Sequence, residues 1–269
     1  MQDHRDNNIQ HPEAWELLVS INGRQIDYMM FAPTVANSLI IKQAAAADDT
    51  MQALEDAVYD TPELLDEYKR VRVVVHSSRF VLFPQETADD DCEALVRHAF
   101  PDGDGEAAVC PVPANGVKMA FLMPHGMMAF LGRTFNYPVV SHPLALLCEH
   151  FVDLSGGDAR SRMCLHLRPQ AMDMAIYREG RLQCANVYPF SAVEDAVYYA
   201  MNAWRTFDLD QLSDELLLMG DNEVLATITP LLREFVKYVM PATYPAAAMR
   251  LGRNAMQAPL DLILLALCE

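Results

Sequence analysis

Apolar and polar positions along this chain spell one order of elements, and that order occurs twice. Residues 16–21, 26–32 and 38–43 are three strand-like runs parted by Asn22-Gly23 and by Pro33, and they predict an antiparallel meander. Thr50 can cap a helix that carries Met51, Leu54, Ala57 and Val58 on one face, and Thr61-Pro62 restarts it toward Leu65 and Tyr68. Residues 71–76 (VRVVVH) predict a fourth strand. Their near-unbroken valines suit burial on both faces.

Roughly 145 residues later the order returns, at a spacing far beyond a solenoid period. Residues 163–167, 172–177 and 182–188 predict three strands, and Ser191 with Glu194 is spaced as a capping box. Val193, Ala196, Val197, Ala200, Met201, Trp204 and Phe207 then follow the i, i+3, i+4, i+7 rule of an amphipathic helix. Residues 215–219 (ELLLM) predict the matching fourth strand, ended by Gly220-Asp221-Asn222. Apolar positions from Val224 to Val236 continue helically, with Pro230 expected to kink or split the helix. Each half closes on a related phrase, HPLALLCE at 142–149 and APL running to LCE at 258–269. A proline in a first helical turn loses no hydrogen bond, so both phrases predict helix starts.

Residues 87–140 have no counterpart in the second half. Asp89, Asp90 and Asp91 suit a helix amino terminus, 92–100 is helical in pattern, 107–112 and 117–123 are strand-like, and 126–135 is helical again. The simplest account is a small α/β subdomain inserted in the first half. Ser155-Gly156-Gly157-Asp158 reads as a linker, so the expected division is a first lobe at 12–154, with the insertion at about 87–140, and a second at 159–269.

Composition narrows the function. With 269 residues and 52% hydrophobic content the chain can bury well-formed cores. Lys+Arg 20 against Asp+Glu 37 gives a net charge of −17, a field that repels phosphates, so neither a nucleic-acid groove nor an anionic-membrane patch is expected. The most apolar stretch, 262–268, falls far short of the ~20 residues that span a bilayer, and no membrane insertion is expected. Residues 1–12 lack the charged-then-apolar pattern of a secretory leader. Six cysteines (Cys92, Cys110, Cys148, Cys164, Cys184, Cys268) contain no CxxC pair, which points to reduced thiols in a cytoplasm.

Motif-like clusters add little. Asp102, Asp104 and Glu106 imitate a calcium loop, but Ala107 stands where an EF-hand needs glycine and the distant bidentate Glu is missing, so an acidic hairpin tip is expected. Cys148 with His150, and Cys164 with His166, offer ligand pairs that no second pair at finger-like spacing completes. No G-x-S-x-G, P-loop or paired-cysteine redox motif occurs, while a triad assembled from distant residues stays open. The sixteen methionines, Met127, Met128, Met172 and Met174 among them, fill cores or make an adaptable peptide groove.

The order of elements resembles the actin-like ATPase fold, an α/β architecture of two ribonuclease H-like lobes, each βββαβα. It is most similar to the bacterial branch of actin-like pilus-assembly and secretion-platform proteins, whose first lobe also carries a small insertion. The matching phrases are VKMAFLMP, GMMAFLGRTF, YPVVS and HPLALL. The chain also resembles an uncharacterised bacterial domain-of-unknown-function family of about this length placed in the same fold.

That resemblance sets a test. In active members, the first hairpin turn of each lobe is a Gly-rich phosphate loop with an acidic residue. Here INGRQ at 21–25 has one glycine and no acid. LRPQA at 167–171 has no glycine, and its proline removes an amide. Asp27 and Asp173 come too late, inside the second strands. Gly220-Asp221-Asn222 stands where relatives grip adenosine, and a strand-to-helix turn capped by Asn222 explains it as well. Candidate cleft contacts to a nucleotide or other anion are therefore Asn22, Gly23, Arg24, Arg168, Gln170, Gly220, Asp221 and Asn222, the two arginines lying at turns that face the other lobe. No catalytic residue, metal or cofactor is expected. The resemblance implies a catalytically inert cytoplasmic scaffold that binds a protein partner through its cleft or insertion. A divergent ATP-binding phosphotransferase or ATPase is the alternative, and a structural protein with neither ligand nor stable partner is a third reading.

Overall fold

The expected meander forms in a computed structural model that describes residues 9, 11–23, 25–35, 37–44, 49–155 and 160–268. Strands β1 (Glu16–Asn22), β2 (Gln25–Phe31) and β3 (Ile40–Gln43) lead through helix α1 (Thr50–Asp60) to β4 (Arg70–Val75). Strand β5 (Phe80–Pro84), helix α2 (Asp89–Ala99), strands β6 (Glu106–Val112) and β7 (Val117–Met123) and helix α3 (Met127–Phe135) make the insertion. Strand β8 (Val139–Ser141) and helix α4 (Pro143–Ser155) follow. Strands β9 (Arg162–Arg168), β10 (Ala171–Arg178) and β11 (Arg181–Pro189), helix α5 (Val193–Thr206), β12 (Glu215–Gly220), α6 (Asn222–Leu232), β13 (Tyr238–Pro241) and α7 (Leu260–Leu267) complete the chain.

The two main sheets have the same strand order, β3-β2-β1-β4-β8 and β11-β10-β9-β12-β13, and a third sheet has the order β5-β7-β6. In each main sheet the first three strands pair antiparallel and the rest parallel. β1 lies between β2 and β4 with α1 and α7 packed on it, so Leu17, Leu18, Val19 and Ile21 are wholly buried and the run needs no polar alternation. Ser20 is its polar exception.

The closing helices change sides. α7 buries Leu262, Ile263, Leu264 and Leu265 and packs on β1 and β4, whereas α4 packs on β10 and β11, and the two helices touch each other. Arg72 of β4 fixes this arrangement. Its guanidinium donates to the carbonyls of Leu265 and Cys268 at the end of α7 and, at 2.6 Å, to Glu16. His142 caps the start of α4, where its Nδ1 accepts from the Leu144 amide at 3.2 Å and its Nε2 donates to the Ser77 carbonyl at 2.9 Å.

Several expectations shift. The cap of α1 is Asp49, which accepts from the Gln52 amide, rather than Thr50. The capping of α5 falls one residue later than Ser191 and Glu194: Ala192 is the cap, and the Asp195 carboxylate accepts its amide. The third sheet starts at Phe80, ahead of residue 87. Pro230 lies inside α6 without splitting it, and the helix stops two residues later, at Leu232 instead of Val236, where the chain turns into β13. Two short 3-10 helices, Ala246–Leu251 and Arg253–Gln257, then precede α7. Ser155 ends α4, and the rest of the expected linker, Gly156-Gly157-Asp158, lies outside the described residues.

Candidate functional site: an acidic cleft between the sheets

The first hairpin of each half is as tight as a hairpin gets. Asn22 pairs with Gln25, leaving only positions 23 and 24 in the turn, and Arg168 pairs with Ala171, leaving only Pro169 and Gln170. Two residues expose too few amides to ring a phosphate, and Pro169 contributes none. Gly220 ends β12 at φ +121°, where a Cβ would come within 2.0 Å of the Leu167 carbonyl oxygen. That glycine serves a close backbone approach. Asp221, not Asn222, caps α6, its Oδ1 accepting from the amides of Glu223 and Val224.

Between the sheets lies a cavity of about 810 Å³, within the range of small-ligand sites. Of the residues singled out in the sequence, Asn22, Arg168, Gln170, Gly220 and Asp221 border it, while Gly23 and Asn222 do not. Arg24 lies outside the described residues. Arg168 is not a free anion ligand: its Nε and Nη2 donate to the two oxygens of Asp173 at 3.0 and 2.8 Å.

Two cross-strand pairs that the motif search passed over face this space. Ser20 on β1 stands opposite Asp27 on β2, and His166 on β9 stands opposite Asp173 on β10. Both pairs sit on strands buried almost throughout, and 166−20 and 173−27 are each 146. A polar residue recurring at that offset inside an apolar strand was the signal available to sequence reading. Asp261, from the first turn of α7, joins the first pair. Ser20 donates to its Oδ2 at 2.5 Å and His76 Nε2 lies 2.8 Å from the same oxygen.

Ser20, His76 and Asp261 are thus a serine, a histidine and an acid in contact, but not in relay order. Both Ser20 (3.4 Å) and Asp261 approach the same ring nitrogen, and the serine proton already goes to the carboxylate. A nucleophile is activated when base and acid hold opposite nitrogens of the ring. Here the serine and the acid share one ring nitrogen, and the hydroxyl is turned to the carboxylate instead of the ring.

Burial works against ionising Asp173 and Asp261, yet each carboxyl is held below the ordinary range. The His166 bond and the Arg168 charge outweigh burial at Asp173; the His76 bond and charge, then Ser20, do so at Asp261. Asp27 goes the other way. Burial raises it, the bond from Gln25 pulls it back, and the charge of Asp261 raises it further. Among the described residues, four carboxyls, Asp27, Asp173, Asp221 and Asp261, border the cavity against one arginine.

The other sequence clusters have local roles. Glu106 accepts from the Met128 amide at the start of α3, Asp104 pairs with His125, and His150 Nε2 lies 3.2 Å from the Thr243 carbonyl. Met127, Met172 and Met174 are core residues, and Met128 is exposed. None of the six cysteines forms a disulfide. Among the described residues, no three His, Cys, Asp or Glu side chains gather to hold a metal, and no helix is long and apolar enough to cross a membrane.

Comparison with solved structures matches this architecture to known ones. A Bacteroides thetaiotaomicron protein of actin-like ATPase fold and unknown function superposes with a TM-score of 0.80 at 22% identity, covering 96% of this chain and 97% of its own. A chain of a PilM-PilN type IV pilus biogenesis complex gives 0.54 at 13% identity, covering 96% and 99%. The cytoplasmic domain of EpsL, from the Vibrio cholerae type II secretion system, gives 0.45 at 11% identity, covering 77% and 82%. No curated protein matches. The fold is that of actin-like ATPases, as the order of elements implied. Residues 4–239 match the family described as protein of unknown function (DUF3822), and the chain belongs to that family.

Proposed function

We propose that this protein is a catalytically inert actin-like scaffold that works in the cytoplasm by binding a protein partner. One observation carries the reading: both hairpins at the phosphate end of the cleft are two-residue turns, one of them begun by a proline. Without ringed amides, a polyphosphate would meet mainly carboxyls, and at an effective dielectric of about 20 each like-charge contact at 4 Å costs about 4 kcal/mol. Among the described residues, the arginine bordering the cavity is Arg168, and Asp173 already neutralises it. The partner-binding half of the reading is supported by the PilM likeness, since that protein is seen in a complex with PilN. Six cysteines without a disulfide suit a reducing compartment.

Phosphate release from ATP with magnesium tests inertness. The rate should equal buffer background, in the native chain and in Asp27→Asn and Asp173→Asn alike. Turnover above background that these substitutions abolish would overturn the reading.

A further inference from the structure

One acid bordering the cleft has incomplete bonding. Asp27 is 8% exposed, and among the described residues its side chain takes one hydrogen bond, which Gln25 Nε2 donates to Oδ2 at 2.6 Å, and none at Oδ1. The other three carboxyls are committed. Asp173 holds His166 and Arg168, Asp261 holds Ser20, His76 and the Leu262 amide, and Asp221 caps α6. A carboxylate oxygen that meets no protein donor among the described residues, on the wall of a cavity open to a ligand, has room for a hydrogen-bond donor, and a charged one by preference.

The chemistry of that donor follows from what stands around it. A metal held by protein side chains alone would want three or more ligands, and no such group of His, Cys, Asp and Glu gathers among the described residues. A phosphate is repelled. An ammonium or guanidinium head needs only one such oxygen, provided an apolar wall receives its alkyl stem, and Leu147, Met219, Met256 and Leu260 border the same cavity. We infer that the cleft receives a basic side chain of the protein partner, an arginine or lysine whose charged head bonds Asp27 while its stem lies along those apolar residues. This deepens the scaffold reading and rests on it. Burial and the neighbouring Asp261 charge both penalise an ionised Asp27, and a cation beside it relieves both.

Thermal shift and calorimetry on the full chain test it with four probes: n-butylguanidinium, its neutral isostere n-butylurea, the capped tripeptide Ac-Ala-Arg-Ala-NH2, and Mg-ATP. The tripeptide and n-butylguanidinium should raise the melting temperature and n-butylurea should not. Asp27→Asn, which keeps an acceptor for Gln25, should weaken both cationic probes about tenfold or more. Equal response to the urea, no response to either cation, or an undiminished response in Asp27→Asn would overturn the proposal while leaving the inert scaffold standing. Binding of n-butylguanidinium without the tripeptide would also overturn it, because the site would then take a free cation. Saturable Mg-ATP binding displaced by n-butylguanidinium would instead sink the scaffold reading itself.

Discussion

Gly220 and Gly23 both hold left-handed backbone, at φ +121° and +57°, but only Gly220 is pressed against another strand. Gly23→Ala meets nothing within 4 Å and should cost about 1 kcal/mol, the ordinary penalty of that conformation. Gly220→Ala should cost about 3 kcal/mol or more, since its Cβ would overlap the Leu167 backbone. Urea unfolding of the two variants separates these values, and equal losses would contradict the close-approach reading. His142 makes a second prediction at this scale. Burial, against the bond to Ser77, pushes its imidazole down to about 4 from an unfolded value near 6.5. The unfolded chain then binds the extra proton first, so stability is full above pH 6.5 and falls as the pH drops toward 4, by about 3 kcal/mol. His142→Asn keeps a capping side chain and removes the titration, so its unfolding free energy should change less over that window. The cleft residues were partly legible at this scale. Asp27 and Asp173 were noticed but discarded for lying past the turns, and Asp261 stands 241 positions from Ser20 (261−20), a contact no local pattern announces.

The element that closes the molecule is α7, and a single arginine ties it down. Arg72→Met would strip two carbonyls of their donor and leave Glu16 buried without its cation, a loss of about 3–5 kcal/mol. Adding Glu16→Gln should recover part of that loss in chemical denaturation, because the unpaired charge then disappears. A double variant as unstable as the single would place the cost elsewhere. Elements with a long apolar face or a strict strand run were readable from the chain: β1, β2, β4, β9, β10, α5 and both proline-started helices formed where expected. Short or ambiguous ones were not. β13 is four residues long and follows an apolar stretch whose spacing continues the helical face of α6, so the stop at Leu232 depended on a place beside β12 that only the folded sheet provides. The caps of α1 and α6 each missed by one residue, because Asp49 and Asp221 stand beside Thr50 and Asn222, which can cap as well, and at α5 the carboxylate that reaches back is Asp195 instead of its neighbour Glu194.

At the scale of the whole molecule, two sheets of identical strand order exchange their closing helices and leave an acidic cavity between them. Relatives of this fold are named for ATP, and the frame alone does not carry that chemistry. On the proposed reading, what decides it is the length of two hairpin turns and the amides they leave for a phosphate. Calorimetric titration of the full chain with ATP and magnesium tests this most directly. The account predicts no saturable heat at millimolar nucleotide and no accompanying rise in melting temperature. One-to-one binding in the micromolar range would contradict it.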